Sequence, residues 1–234
     1  MSQIDGIIAK LCPDGAEFKP LSSFVSKVSN IRWTDNADTE FQYIDLTSVD
    51  RTTHAIVKTT TITGEDAPSR AQQIVCEGDV IFATTRPMLK RYTVIPAEYD
   101  GQICSTGFCV LRPNNSVVLT NFLFHLLGTE VFYDYVEANE RGASYPAIPD
   151  NVVKKFRVPV PPLEVQKEIV KVLDNFTELE AELEAELEAR RRQYKYYRDA
   201  LLTFGERTDA DASKQASKQE SKQASKQDKA DDLG

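Results

Sequence analysis

Apolar side chains recur every three or four residues from Pro161 to Phe204: Val165, Ile169, Val172, Phe176, Leu179, Leu183, Leu187, Tyr194, Tyr197 and Leu201. This is helical periodicity, and no Gly or Pro interrupts it after the Pro161-Pro162 pair. Pro162 suits the first turn, where its missing N–H costs nothing. Roughly forty residues at about 1.5 Å each make a rod near 60 Å long. One apolar seam of that length needs a second helix along it. Residues 178–189 repeat ELEA three times. Four residues turn an ideal helix by about 400°, so Leu179, Leu183 and Leu187 drift by roughly 40° per unit. A coiled coil absorbs that as a stutter. Each unit adds about 6 Å, so the repeat reads as a length adjuster between whatever the rod connects. On composition alone, an exposed Glu-rich solvated helix fits equally. Glu186–Arg190 and Glu188–Arg192 have the spacing of helical ion pairs.

Upstream the pattern changes. IDGIIAKL predicts a short helix, Cys12-Pro13-Asp14-Gly15 a turn, and LSSFVSKV a second helix entered at Lys19-Pro20-Leu21. FQYIDLTSVD and HAIVKTTTIT are rich in β-branched and aromatic residues and predict strands. Ile74 and Val75 lead through Glu77-Gly78-Asp79 into the short apolar strand Val80–Ala83. Further strands are predicted near YTVIPAEY and STGFCVLRP, then a helix from about Leu119 to Asn139 with Phe122, Leu126, Phe132 and Val136 near one face. Many strands with a few separate helices predict an α+β fold of mixed strands and short helices, followed by the long helix.

Three loops carry polar side chains suited to DNA. Thr84, Thr85, Arg86, Lys90, Arg91 and Tyr92 follow the apolar strand. Arginine takes guanine edges with paired donors, and both cations neutralise phosphates. A solvated hairpin tip is the plainer account. Ser105 and Thr106 precede Gly107 and allow close backbone approach, which is weak evidence alone. Arg141, Ser144 and Tyr145 lie in ERGASYP, where Gly142 also suits a helix C-cap and Arg141 the helix dipole. A cap that shapes a DNA-facing loop satisfies both readings.

The net charge of −8, split evenly as −4 in residues 1–158 and −4 in 159–234, changes this picture. DNA binding then requires a local basic face. Cys12, Cys76, Cys104 and Cys109 form no CxxC pair and read as reduced core thiols, not a metal site. His54 and His125 are isolated, and His125 in FLFHLLG reads as packed. MSQIDGIIAKL lacks the regions of a secretory leader, and no long apolar run predicts a membrane span, so a cytoplasmic location is expected. No glycine-rich phosphate loop, metal-ligand spacing or nucleophile elbow occurs, and methyltransferase motifs for S-adenosylmethionine are absent. Residues 212–227 read ASKQ-ASKQ-ESKQ-ASKQ, and the polar stretch 205–234 is expected to be disordered.

The run IVKVLDNFTELEAELEAELEARRRQYKYYRDALLTF resembles the conserved helical region of type I restriction–modification DNA-specificity subunits. VPVPPLEVQKEI resembles that family's junction between recognition domain and helix, and GDVIFATTRPMLKRY and ERGASYPAIPDNVVKKFRVPVPPLEVQ are also similar. The resemblance covers about residues 5–205 and implies three parts: a target-recognition domain at 1–158, a spacer and dimerisation helix at 159–204, and the tail at 205–234. It implies that the segment RGASYPAI lies at the recognition surface. It further implies a non-catalytic, cofactor-free subunit that reads DNA. Adenine methyltransferase subunits and a motor-nuclease subunit would be its partners, with S-adenosylmethionine and ATP/Mg held by those partners only. A full subunit has two recognition domains and two helices, whereas one of each is visible here. A half-length form would pair as an antiparallel homodimer and read a palindromic bipartite site. Pairing with a different half would give an asymmetric site. A coiled-coil adaptor without DNA specificity, and an enzyme on another fold, remain the readings from other classes.

Overall fold

The computed structural model describes residues 15–203 without a break, together with Gly6, Cys12 and Pro13. The expected helix at 4–11 (Gly6 apart) and the ASKQ repeats fall outside the described residues. Within residues 15–203, ten strands and four α-helices occur in this order: β1 Glu17–Pro20, β2 Val25–Ser26, β3 Phe41–Ile44, β4 Thr60–Ile62, β5 Ala71–Ile74, β6 Val80–Ala83, β7 Tyr92–Val94, β8 Ile103–Ser105, β9 Phe108–Pro113, α1 Thr120–Leu127, α2 Glu130–Asn139, α3 Asp150–Val153, β10 Arg157–Val160 and α4 Leu163–Leu202. The α+β expectation holds.

Two four-stranded sheets, ordered β2-β9-β6-β7 and β4-β3-β8-β5, make the body, and β1 pairs with β10 alone. All pairings are antiparallel except β3 with β8. Strand alternation explains the layering. In β6, Val80 and Phe82 face a core shared with the helices, while Ile81 and Ala83 face a second core. In β9, Cys109 and Leu111 point to the first core and Phe108 and Val110 to the second. β3 and β8 divide likewise: Ile44 and Cys104 enter the second core, Tyr43 and Ile103 a third. The sheet containing β6 is therefore covered on both faces, which is why VIFA is an unbroken apolar run. Phe82 meets Phe132 edge-on at 5.0 Å, and Phe132 meets Phe156 at 5.1 Å. Each such buried ring is worth about 1.5–3 kcal/mol. Buried Asp79 is gripped by Arg112 through two 2.8 Å hydrogen bonds and takes a third from the Cys76 N–H.

Two local expectations are corrected. LSSFVSKV forms a 3-10 turn at Leu21–Ser23 and then β2, not a helix. The N–H groups of Leu21 and Ser22 donate to the carbonyls of Phe156 and Lys154, so tertiary partners replace helical ones. The helix drawn from 119 to 139 is two, broken at Gly128-Thr129. Thr129 Oγ1 caps α2 by accepting from the Phe132 N–H, and Gly128 ends α1 where a Cβ would come within 2.6 Å of the Tyr92 hydroxyl.

The chain divides into two compact units between Ala181 and Glu182, within α4. The first unit includes the start of α4 because that stretch is anchored there. Val165 is buried, and Ile169 and Val170 pack on the helix-side core. Gln166 is fully buried and donates to the carbonyls of Val117 and Pro161 at 2.9 and 2.8 Å. Its side-chain oxygen accepts from the Leu119 N–H at 2.9 Å. Asp174 accepts from Asn121 and pairs with His125 at 2.8 Å, so half-buried His125 helps to hold α4 against α1. Val165 and Ile169 thus pack on the domain's own core, Val165 buried and Ile169 half-buried, and Val172 is half-buried. In the second unit the helix exposes Leu183, Leu187, Tyr194, Tyr197 and Leu201. Glu186–Arg190 forms at 3.5 Å, while Glu188–Arg192 does not occur among the described residues.

Candidate nucleic-acid interface

The strand β6 ends at Ala83, and the chain then enters a 3-10 turn at Pro87–Leu89. Arg86 and Lys90 bracket that turn with φ of 50° and 54°, a left-handed conformation that non-glycine residues seldom adopt. Such strain persists only where surrounding contacts over-determine it. Here Pro87 is buried and the Arg86 N–H donates to the Pro146 carbonyl at 2.7 Å. The Ile148 N–H donates to the Thr84 carbonyl at 2.9 Å, and Thr85 bridges Ala147. These bonds zip the first predicted loop to the third.

The third loop is closed by reciprocal 2.9 Å bonds between Arg141 and Ala147. Gly142 does not cap α2, contrary to expectation. The helix ends at Asn139, Glu140 is already extended, and Gly142 turns the loop itself with φ of 106°. A Cβ there would meet the Tyr145 carbonyl oxygen at 2.9 Å. The turn presents Ser144 and Tyr145 outward, and the Arg86 guanidinium lies over the Tyr145 ring at 4.3 Å.

A cleft of about 520 Å³ opens beside this stack. Thr85, Arg86, Arg91 and Tyr145 line it, as does Arg70, which the sequence reading missed. Arg70 arrives because its carbonyl accepts from the Thr106 N–H, tying its loop to the second predicted one. No local motif marks Arg70; the contact spans residues far apart in sequence. Three arginines on one cleft form a local basic face in a net-acidic chain.

Other candidates are placed differently. Thr84 is buried and its hydroxyl donates to the Gly107 carbonyl. Ser105 is buried and accepts from the Gly107 N–H. Tyr92 is buried against Phe124 and His54. These three are corrected to scaffold, since their side chains serve the protein's own interior. Lys90 Nζ sits over the Tyr133 ring at 4.6 Å. Arg91 donates to the Val49 carbonyl. Thr106, Arg141 and Ser144 are exposed but outside the cleft lining. Burial lowers the pKa of His54 below its usual value, outweighing the backbone hydrogen bond and the Asp50 charge that raise it.

All four cysteines are free thiols, and burial pushes Cys104 and Cys109 upward. Among the described residues no group of three His, Cys, Asp or Glu side chains converges, and no helix is long and apolar enough to cross a membrane.

The specificity subunit of the type I restriction enzyme HindI from Haemophilus influenzae is 31% identical over 118 residues, covering 50% of this chain and 25% of that protein. The Escherichia coli EcoR124I/EcoR124II specificity subunit is 53% identical over 91 residues, covering 37% and 22%. The HsdS subunit from Thermoanaerobacter tengcongensis superposes with a TM-score of 0.66 at 40% identity, over 81% of this chain and 47% of that one. These matches span about a quarter of the two relatives and about half of the solved subunit. The profile of the type I restriction modification DNA specificity domain matches residues 23–189, and the chain belongs to that family.

Proposed function

We propose that this chain reads DNA sequence for a type I restriction–modification system. The observation that carries this is the pair of zipped loops, which gathers Arg70, Arg86 and Arg91 with Tyr145 on one cleft of an otherwise acidic protein. Arginine and tyrosine there supply donors for base edges and phosphates. The chain itself needs no cofactor in this reading. Adenine methyltransferase subunits and a motor-nuclease subunit, which hold S-adenosylmethionine and ATP/Mg, carry out the chemistry in the cytoplasm.

The second part of the reading concerns α4. Phe176, Leu179, Leu183 and Leu187 are each 50–65% exposed along the helix. An apolar seam left in water favours a partner helix. A second copy of this chain, antiparallel, covers the seam, and the dimer reads a palindromic bipartite site.

The test is a map of N6-methyladenine in cells expressing this chain with its methyltransferase subunits, against cells lacking it. A palindromic bipartite motif that depends on the chain is expected. An asymmetric motif would replace the second copy with a different half. No dependent motif, with the complex assembled, would refute DNA recognition and favour an adaptor role.

A further inference from the structure

Resting on the DNA reading, we propose that Arg86 reads a guanine in the major groove and that Met88 and Leu89 receive the C5-methyl group of a neighbouring thymine.

The cations around the cleft are not equivalent. Arg91 already donates to the Val49 carbonyl, and Lys90 lies against the Tyr133 ring. Arg70 and Arg86 donate no side-chain hydrogen bond among the described residues, and of these two only Arg86 is oriented. Its guanidinium lies over Tyr145 at 4.3 Å, its N–H is held by the Pro146 carbonyl at 2.7 Å, and buried Pro87 is next in the chain. A guanidinium held over a ring face by its charge leaves its N–H groups free to donate to another partner. Fixing it beforehand reduces the entropy lost on binding. Guanine O6 and N7 are the paired acceptors that match such a fork.

The neighbourhood argues against a phosphate contact. Met88 and Leu89 are each 38% exposed at the tip of the same rigid turn. With Pro146 and Arg86 they line a hollow of about 240 Å³. A phosphate has no use for apolar neighbours. The major groove presents one apolar group, the thymine methyl, beside the acceptors that arginine reads. The tip therefore matches a guanine with a thymine at an adjoining position.

The test uses the assembled methyltransferase complex. With the wild-type chain, the methylation map defines the motif. Arg86→Ala and Arg86→Lys should each make one guanine position degenerate, because lysine keeps the charge but not the planar fork. Tyr145→Ala should relax the same position. In duplexes carrying the motif, 7-deazaguanine there should weaken the wild-type complex roughly ten- to a hundredfold and the Arg86→Ala complex no further. Uracil for the adjoining thymine should cost roughly fourfold, and nothing in the Met88→Ala/Leu89→Ala variant. Evenly reduced methylation with every guanine still specified would overturn the assignment, as would equal analogue losses in wild type and variants. If the wild-type chain directs no motif at all, the DNA reading itself fails.

Discussion

Replacing Gln166 with leucine tests what fastens the long helix to the domain. The side chain is fully buried and makes three hydrogen bonds of 2.8–2.9 Å to the main chain of Val117, Leu119 and Pro161. Leucine fills a similar volume but leaves one N–H and two carbonyls without partners. At about 1–1.5 kcal/mol for each lost bond, the variant should lose roughly 3–4.5 kcal/mol. In a domain of this size that lowers Tm by roughly 6–18 °C. Urea unfolding monitored by tryptophan fluorescence would report it as a lower midpoint with an unchanged slope. Gln166→Glu separates hydrogen bonding from charge. It keeps the bond from Leu119 but sets a carboxylate against two carbonyls. Its loss should exceed that of leucine at pH 7 and shrink as the pH falls. Protonation is then favoured in the folded state, so stability recovers toward acid. A loss below about 1 kcal/mol for Gln166→Leu would refute the fastening role.

Other expectations are as specific. Gly128→Ala should destabilise by about 1–3 kcal/mol, since its Cβ would press on the Tyr92 hydroxyl; a calorimetric Tm equal to wild type would contradict that contact. His54→Asn, which tolerates the left-handed backbone at φ of 54°, should flatten the loss of stability below pH 6.5. Burial depresses the His54 pKa, so its contribution is present above the unfolded value and is lost as pH falls through the folded one. Identical pH profiles for wild type and variant would discount it. Leu183→Glu with Leu187→Glu should weaken self-association in sedimentation while leaving domain stability unchanged; an unaltered sedimentation coefficient in a self-associating protein would exclude that seam. Deleting one ELEA unit shortens the helix by about 6 Å and turns its C-terminal remainder by roughly 40°. The spacer of the methylated motif should change while its half-site bases stay, and an unchanged spacer would refute the length-adjuster role.

The elements legible along the chain were those set by local periodicity. The long helix was legible between Pro161 and Phe204, where α4 spans Leu163–Leu202, because three-and-four spacing without Gly or further Pro admits little else. β6 was legible as a short apolar run, and the first and third loops as places where cations and hydroxyls gather. Family resemblance added the expected role. Folding settled the points that those local signals leave open. Tyr92, Thr84 and Ser105 turn inward because the sheets and loops close over them. Leu21–Ser26 forgoes a helix because the segment around Lys154–Phe156 takes its N–H groups. Gln166, an ordinary polar residue in sequence, becomes a fastener only when Val117 and Leu119 meet it across nearly fifty positions. Arg70 reaches the cleft through the Thr106 backbone, and Arg86 meets Tyr145 because main-chain bonds zip two distant loops together. Such long-range hydrogen bonds and burial are collective properties of the folded chain, and a local pattern does not encode them one residue at a time.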